Sequence, residues 1–182
     1  MRRVLASLLL LPILACGSAR LSRREAEHDI RQDYPVQVVI QVPEIARAAA
    51  GSPESTRLTA LQAGLARTGW FSAERHSEGG QEVFSFKAGA NLPGSVRPAA
   101  KGWEIPAAQV VFVRAQDLRT SGDSARVTYE VRLANPTSEF GLFETLHPDA
   151  RIGQSKSRHA LYRKDGRVWI LQETDETLKK VP

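Results

Sequence analysis

The chain has 182 residues, 42% of them hydrophobic, and its 25 basic and 20 acidic side chains give a net charge of +5. This length suits one domain, or two small lobes that share a core. The mild charge argues against a nucleic-acid-binding protein, and a single cysteine excludes an intramolecular disulfide.

The first fifteen residues predict an export signal. Residues 1–3 are Met-Arg-Arg, a short positive segment, and residues 4–15 are apolar or small. Twelve helical residues rise about 18 Å, well short of the ~30 Å hydrocarbon core of a bilayer. The run therefore fits the hydrophobic region of a signal peptide better than a transmembrane span.

The end of this run resembles the lipobox of bacterial lipoproteins. Ile13-Leu14-Ala15-Cys16 has the family's order of an aliphatic residue, a variable position, a small residue and a cysteine. The resemblance implies cleavage between Ala15 and Cys16 and attachment of a diacylglycerol to the Cys16 thiol. An ordinary secretory signal cut after Ala15, which leaves a free thiol, and a mitochondrial presequence are the alternatives.

The resemblance also implies a location. An Asp after the lipidated cysteine retains enterobacterial lipoproteins in the inner membrane, whereas this chain has Gly17. We therefore expect a lipid-anchored protein of the cell envelope, on the outer membrane and facing the periplasm. Two or more acyl chains anchor a protein stably. Loss of residues 1–15 leaves 23 basic and 20 acidic side chains, a net charge of +3.

Residues 16–34 are polar and charged, which predicts a lipidated, flexible tether. Arg20, Arg23 and Arg24 lie close to the predicted anchor, so contact with anionic headgroups is the alternative interpretation. Acidic residues follow directly and partly cancel this charge, which favours the tether.

The next segments predict a strand and a helix. Over residues 36–42, Val36, Val38, Ile40 and Val42 recur at every second position and so fall on one face, the period of a strand. Ser52 and Pro53 are a typical N-cap and first helical residue, and Gly69 suits a C-terminal cap. Leucines at helical spacing in between predict the main helix over about residues 52–68.

Two strands, over residues 70–76 and 81–88, flank the turn sequence Ser-Glu-Gly-Gly and predict a hairpin. With the preceding helix they resemble the second half of a winged-helix unit, over residues 52–88 only. Winged helices often bind DNA, but no dense basic surface is visible, so we interpret this unit as architecture and expect no nucleic-acid partner.

Glycines and prolines over residues 89–106 predict an irregular connector. Beyond it, four strands are expected over residues 110–115, 125–133, 157–163 and 167–172, the last two joined by the turn Lys-Asp-Gly. The prediction is an α+β fold: one main helix, antiparallel strands and a C-terminal four-stranded meander. We expect a single domain over residues 35–182, with residues 35–90 and 107–173 as possible lobes.

The last hairpin, with its basic and aromatic first strand and the Val-Trp-Ile centre of its second, resembles the end of nuclear-transport-factor-2-like folds. That resemblance implies a cone-shaped pocket that binds a small ligand or performs catalysis. The general run of elements is also similar to small proteobacterial lipoproteins of unassigned function. Neither likeness assigns an activity to this chain.

Four histidines are available, but no two lie close in sequence: His28, His76, His147 and His159. His147 ends a segment that contains Phe140, Leu142, Phe143 and Leu146, and it is a candidate proton shuttle or metal ligand. The favoured interpretation is a loop that folds over the sheet and covers its apolar face. His28 is expected in the tether, and His76 is expected on the surface at a hairpin tip.

Four arginines are candidates for contact with an anion: Arg126, Arg132, Arg158 and Arg163. They are expected to line one face of the meander, where they suit an acidic partner protein, lipopolysaccharide phosphate or peptidoglycan carboxylates. An ordinary solvated face interleaved with Glu130 is the simpler interpretation.

The sequence has no GxSxG, P-loop or GxGxxG motif, so it predicts neither a cofactor nor a metal and favours a protein that is not an enzyme. The expected function is that of an envelope accessory that binds a protein or a cell-wall component. The alternative is a small-ligand or enzymatic pocket of the nuclear-transport-factor-2-like kind. A deep apolar cavity lined by His147 or His159 favours the alternative, and a filled core with a flat surface favours the accessory.

Overall fold

The computed structural model describes residues 20–175, so the predicted signal segment and Cys16 lie outside the described chain. The elements are helices α1 (Arg23–Arg31), α2 (Pro53–Thr68) and α3 (Phe140–Leu146), and strands β1 (Val36–Pro43), β2 (Ile45–Ala49), β3 (Phe71–Glu78), β4 (Gln81–Ala88), β5 (Arg97–Ala99), β6 (Gly102–Ser121), β7 (Ser124–Ala134), β8 (Ser155–Asp165) and β9 (Val168–Thr174). The predicted α+β class is confirmed.

The strands form two antiparallel sheets. The larger has the order β1-β6-β7-β8-β9, with β5 also paired to β6, and the smaller has the order β2-β4-β3. The predicted meander is therefore confirmed as β6 to β9. On β7, alternate residues from Ala125 to Val131 are buried, while Arg126 and Arg132 are exposed. We call the buried side of the large sheet its inner face and the opposite side its outer face.

Helix α2 begins and ends where the sequence predicts. Ser52 Oγ accepts a hydrogen bond from the Ser55 backbone N–H at 3.1 Å, and Pro53 occupies the first turn. Gly69 ends the helix at a φ of 67°, a left-handed conformation that glycine adopts without steric cost. Leu58, Leu61 and Leu65 lie on one helical face and are fully buried, so α2 packs into the core through them.

Strand β6 corrects the predicted connector over residues 89–106, because it begins at Gly102 and runs for 20 residues. Gly102 has a φ of 142°, and a Cβ there would overlap the Val42 carbonyl oxygen, so this glycine lets β1 and β6 approach closely. Pro106 lies opposite Val39 beside a β-bulge, where a strand tolerates proline. Glycine and proline usually interrupt strands, so the sequence alone predicts a connector where the first part of β6 lies.

Helix α1 corrects the prediction of a flexible tether as far as residues 20–34 are concerned. Ser22 and Glu25 form a capping box, with reciprocal hydrogen bonds of 3.2 and 2.9 Å to each other's backbone N–H groups. Ala26 and Ile30 are fully buried against the inner face of the large sheet. The polar composition concealed an amphipathic helix with a narrow apolar stripe.

Side chains of α1 also satisfy the backbone of β6 where β1 no longer pairs with it. The β1–β6 pairing extends only to Val110 on β6. Beyond that point the Ala115 backbone N–H donates to Glu27 at 2.9 Å, and the Gln116 carbonyl oxygen accepts from Arg23 at 2.8 Å. An open strand edge exposes unpaired backbone groups, and α1 pairs two of them here.

Two hydrophobic clusters form the core. The first cluster packs α2, α3 and the small sheet against β1 and the first part of β6, and the second packs α1 against the later part of β6, β7 and β8. Strands β1 and β6, which belong to different predicted lobes, pair along the whole of β1. The boundary between the clusters therefore crosses the large sheet, because β6 contributes residues to both.

The burial of α1 gives a first prediction. Ile30→Ala removes a fully buried side chain and should lower the free energy of unfolding by about 2–5 kcal/mol. Arg24→Ala, at an exposed position of the same helix, is the matched control and should change it by less than about 0.5 kcal/mol. Urea unfolding of both variants measures the difference. Equal stabilities would mean that α1 does not belong to the cooperative unit.

Candidate functional site

A cavity of about 320 Å³ opens on the inner face of the large sheet, in the gap between the two hydrophobic clusters. We call it the sheet-face cavity. Its lining residues come from β1, β6, β7, β8, α3 and the loop after α3: Val38, Val110, Val131, Leu133, Phe143, His147, Ala150, Gln154, Lys156 and Arg158. Its volume is at the lower end of the range for small-ligand sites.

The strand register explains the composition of the cavity. Val110 on β6 lies opposite Leu133 on β7, so these two side chains share the inner face. Val131 lies opposite Lys156 on β8, which places a cation directly beside the aliphatic floor. Arg158, two residues further along β8, lines the same side. The site therefore joins an apolar surface to two positive side chains.

This register corrects the predicted group of four arginines. Arg126 and Arg132 project from the outer face, and Arg163 shares that face because it lies opposite Ser124. Arg158 lies opposite the buried Tyr129, so it belongs to the inner face and to the sheet-face cavity. Successive side chains of a strand point to opposite faces, and Arg163 is five positions, an odd number, after Arg158.

The three outer-face arginines are exposed, and acidic residues interleave with the basic ones around them. Arg114 and Glu130 form an ion pair at 3.2 Å on this face. A hydrogen bond from Ser155, with a smaller contribution from Arg114, holds the pKa of Glu130 below its ordinary value. The structure thus places Arg126, Arg132 and Arg163 on a surface of mixed charge.

The segment expected to be a loop over the sheet contains helix α3. Thr137 fixes its start, since its backbone N–H donates to the Ala107 carbonyl oxygen at 2.9 Å and its Oγ1 donates to Pro106 at 2.8 Å. Phe140, Leu142 and Leu146 are buried, so the segment covers apolar surface as the favoured interpretation required. Only seven residues are helical, too few for a clear periodic pattern in the sequence.

Gly64 of α2 determines how closely α3 packs. A Cβ at this position would overlap Cδ1 of Leu142, so a larger residue would require the buried Leu142 side chain to move. Leu142 precedes Phe143 and lies five residues before His147, and both of these line the cavity. The shape of that cavity wall therefore depends on a glycine in the middle of another helix.

His147 is the histidine that lines the cavity. Its ring centroid lies 4.5 Å from that of Phe143, and its backbone N–H ends α3 with a 2.9 Å bond to the Phe143 carbonyl oxygen. Desolvation of the ring, and secondarily the charge of Arg57, lower the pKa of His147 below its ordinary value of 6.5. The imidazole is therefore neutral at pH 7 and presents one donor and one acceptor.

The other three histidines lie apart from the cavity. His28 lies on α1, His76 is exposed on β3, and His159 lies on the outer face with its Nδ1 3.7 Å from Asp175. Among residues 20–175 no three His, Cys, Asp or Glu side chains group as a metal site would require. Over the same residues no helix has the length and apolar character needed to cross a bilayer.

A second polar cluster, which sequence reasoning missed, joins α2 to the small sheet. Glu82 of β4 is buried, accepts hydrogen bonds from Ser55 and Arg75, and has its pKa held below the ordinary value by these bonds, that of Ser55 first. The Arg75 guanidinium also lies over the Phe84 ring at 5.4 Å. These contacts satisfy a buried charge and fix the start of α2, and we assign the cluster to the fold.

No family model, curated protein or solved structure matches this chain. The likenesses to lipoproteins, winged helices and nuclear-transport-factor-2-like folds accordingly remain resemblances of short segments. Functional inference then rests on the residues of this chain and their geometry.

The contact between α2 and α3 is open to test by substitution. Gly64→Ala should lower the free energy of unfolding by about 1–3 kcal/mol, because the new Cβ displaces Leu142 and with it α3. Gly141→Ala is the matched control: no atom lies within 4 Å of the added Cβ, and alanine should stabilise α3 by about 0.5–1 kcal/mol. Denaturant unfolding compares the two, and equal effects would contradict the close packing at Gly64.

Proposed function

We propose that this chain is a lipid-anchored protein of the bacterial cell envelope that binds a small amphipathic anion, without catalysis, in the sheet-face cavity. The ligand has an apolar part and one carboxylate or phosphate group, a chemistry found in cell-wall and lipid precursors. The lipobox resemblance of residues 13–16 supports the anchor, and the cavity supports the binding function.

The observation that carries the binding proposal is the register that sets Lys156 beside Val131. A valine and leucine floor attracts an apolar group through burial of its surface. Lys156 and Arg158 supply charge-assisted hydrogen bonds to an anion at one side of that floor. The residues that line the cavity, all within the described chain, include no acidic side chain that would repel such a ligand.

His147 adds a polar contact without adding charge. Because desolvation and Arg57 keep its pKa low, the ring is neutral at pH 7 and either donates to the ligand or accepts from it. Phe143, in contact with the same ring, contributes an aromatic wall. Few convergent polar groups around an apolar floor are typical of small-ligand sites.

This proposal draws on both functions expected from the sequence. The non-enzymatic role at the envelope comes from the leading hypothesis. The pocket comes from the alternative, since a cavity lined by His147 was the feature that favoured it. Binding is assigned to the inner face because Lys156 and Arg158 adjoin a concave apolar surface there, whereas the outer-face arginines are interleaved with acidic side chains.

The binding site is tested by charge removal on the two faces of the same strands. Octanoate and octyl phosphate, titrated against the purified chain by calorimetry, should bind, and Lys156→Gln with Arg158→Gln should weaken binding by about tenfold or more. Arg126→Gln with Arg132→Gln is the matched control on the outer face and should leave affinity unchanged. Octanol, which lacks the charge, should bind more weakly than octanoate. If the outer-face double variant weakened binding and the inner-face double variant did not, the binding site would lie on the outer face.

The anchor is tested by mass spectrometry of the chain purified from bacterial membranes. Its first residue should be Cys16 with covalently attached acyl groups, and Cys16→Ala should abolish both processing and acylation. Recovery of a chain that starts at Cys16 with a free thiol would assign ordinary secretion instead.

A further inference from the structure

Exposed apolar side chains concentrate on one hairpin. Of the five large hydrophobic residues exposed among residues 20–175, three lie on β8 and β9: Leu161, Val168 and Ile170, exposed by 38%, 63% and 43%. Ile170 lies opposite Arg163, and Leu161 lies opposite Arg126, so both share the outer face with cations. We call Leu161, Arg163, Arg167, Val168 and Ile170 the hairpin patch.

The described chain begins beside this patch. Leu21, the residue before the α1 N-cap, lines a cleft together with Arg167 and Val168. Arg24, at the start of α1, lines the same cleft, as do the acidic residues Glu25 and Asp29. The hairpin patch and the first turn of α1 are therefore neighbours at one end of the molecule.

Chain length then limits how far the hairpin patch lies from the predicted anchor. Only four residues lie between Cys16 and Leu21, and a fully extended chain spans at most about 18 Å from one to the other. If Cys16 is acylated as proposed, Leu21 is held within that reach of the lipid surface, and Arg167 and Val168 of the patch line the same cleft as Leu21. The structured α1 leaves no long tether that would carry the domain further away.

We infer that the hairpin patch rests on an anionic membrane surface, with Val168 and Ile170 at the boundary between headgroups and acyl chains. This inference rests on the proposed anchor. Arg163 and Arg167 face the anionic headgroups, while the exposed valine and isoleucine bury apolar surface as interfacial segments do. Asp165, at the hairpin turn, is the acidic side chain between these two arginines in the sequence.

The fold gives this orientation a functional consequence. Lys156 lies five residues before Leu161, the nearest residue of the hairpin patch, and nine before Asp165 at the turn, which corresponds to about 17 and 30 Å along the strand. The sheet-face cavity also opens on the inner face, whereas the patch lies on the outer face, so docking through the patch leaves the cavity open to solutes. The small sheet is further still, because Ile45 adjoins the beginning of β6 whereas the hairpin patch adjoins its end.

Two labelled positions test the orientation. Val168→Cys and Ile45→Cys of the acylated full chain, 63% and 65% exposed in the native residues, each receive an environment-sensitive fluorophore. The proteins are reconstituted in vesicles of phosphatidylcholine and phosphatidylglycerol at seven to three. Nitroxide-labelled lipid should quench the label at position 168 about twofold or more and leave the label at position 45 unquenched.

Charge-reversal variants and a series of protein-to-lipid ratios distinguish docking on the membrane from the alternatives. Arg163→Glu with Arg167→Glu should reduce quenching at position 168 in the mixed vesicles but not in pure phosphatidylcholine. Equal quenching at both positions, or none at position 168, overturns the inference. A signal that grows with the ratio of protein to lipid assigns the hairpin patch to a second copy of the chain and also overturns it.

A thiol assay separates failure of docking from failure of the anchor. Maleimide should not label the wild-type chain, because an acylated Cys16 has no free thiol. If it does label, the proposed anchor fails, and vesicles added to the soluble chain labelled at position 168, with Cys16 blocked, measure docking alone. Quenching there that depends on phosphatidylglycerol supports the hairpin patch, and its absence overturns it.

Discussion

Strand β6 has 20 residues and is therefore about 65 Å long. One small hydrophobic core does not cover a strand of this length. Its first part pairs with β1 and is covered by α2, α3 and the small sheet, while its later part pairs with β7 and is covered by α1. The two hydrophobic clusters are separate, and the sheet-face cavity lies on the inner face between them. The candidate site therefore follows from the length of β6, which contributes to both clusters.

Local signals in the sequence were enough for α2 and for the meander. Ser52, Pro53 and Gly69 mark both ends of α2, and the strict alternation of β7 separates its two faces. What the sequence did not predict depends on partners distant in the chain. Gly102 and Pro106 break strands in most contexts, and only the backbone of β1 alongside makes an extended conformation favourable for them. The apolar face of α1 is likewise recognisable only from its packing against β7 and β8.

The candidate site was predictable in part. His147 was singled out by the apolar residues before it, and it does line the cavity. The alternation of side chains along a strand already places Arg158 and Arg163 on opposite faces, and only the pairing of β8 with β7 shows that Arg163 is the one that shares the face of Arg126 and Arg132. The sequence did not indicate Lys156 as a site residue. Lys156 lies opposite Val131 on the neighbouring strand, and this pairing brings charge and apolar surface together. A shift of one residue in register changes the face of every side chain, so such sites need the structure.

The contacts of α1 also determine the order in which the molecule completes its fold. Glu27 meets a strand 88 residues later, Arg23 one 93 residues later, and the Ala26 carbonyl oxygen accepts a hydrogen bond from Tyr162, 136 residues further along. Contacts this distant in sequence form late and slowly, because a long loop must close before they stabilise anything. The bonds from Arg23 and Glu27 need only β6, whereas the bond to Ala26 needs β8 as well. Helix α1 is therefore fully held only when β8 has joined the large sheet.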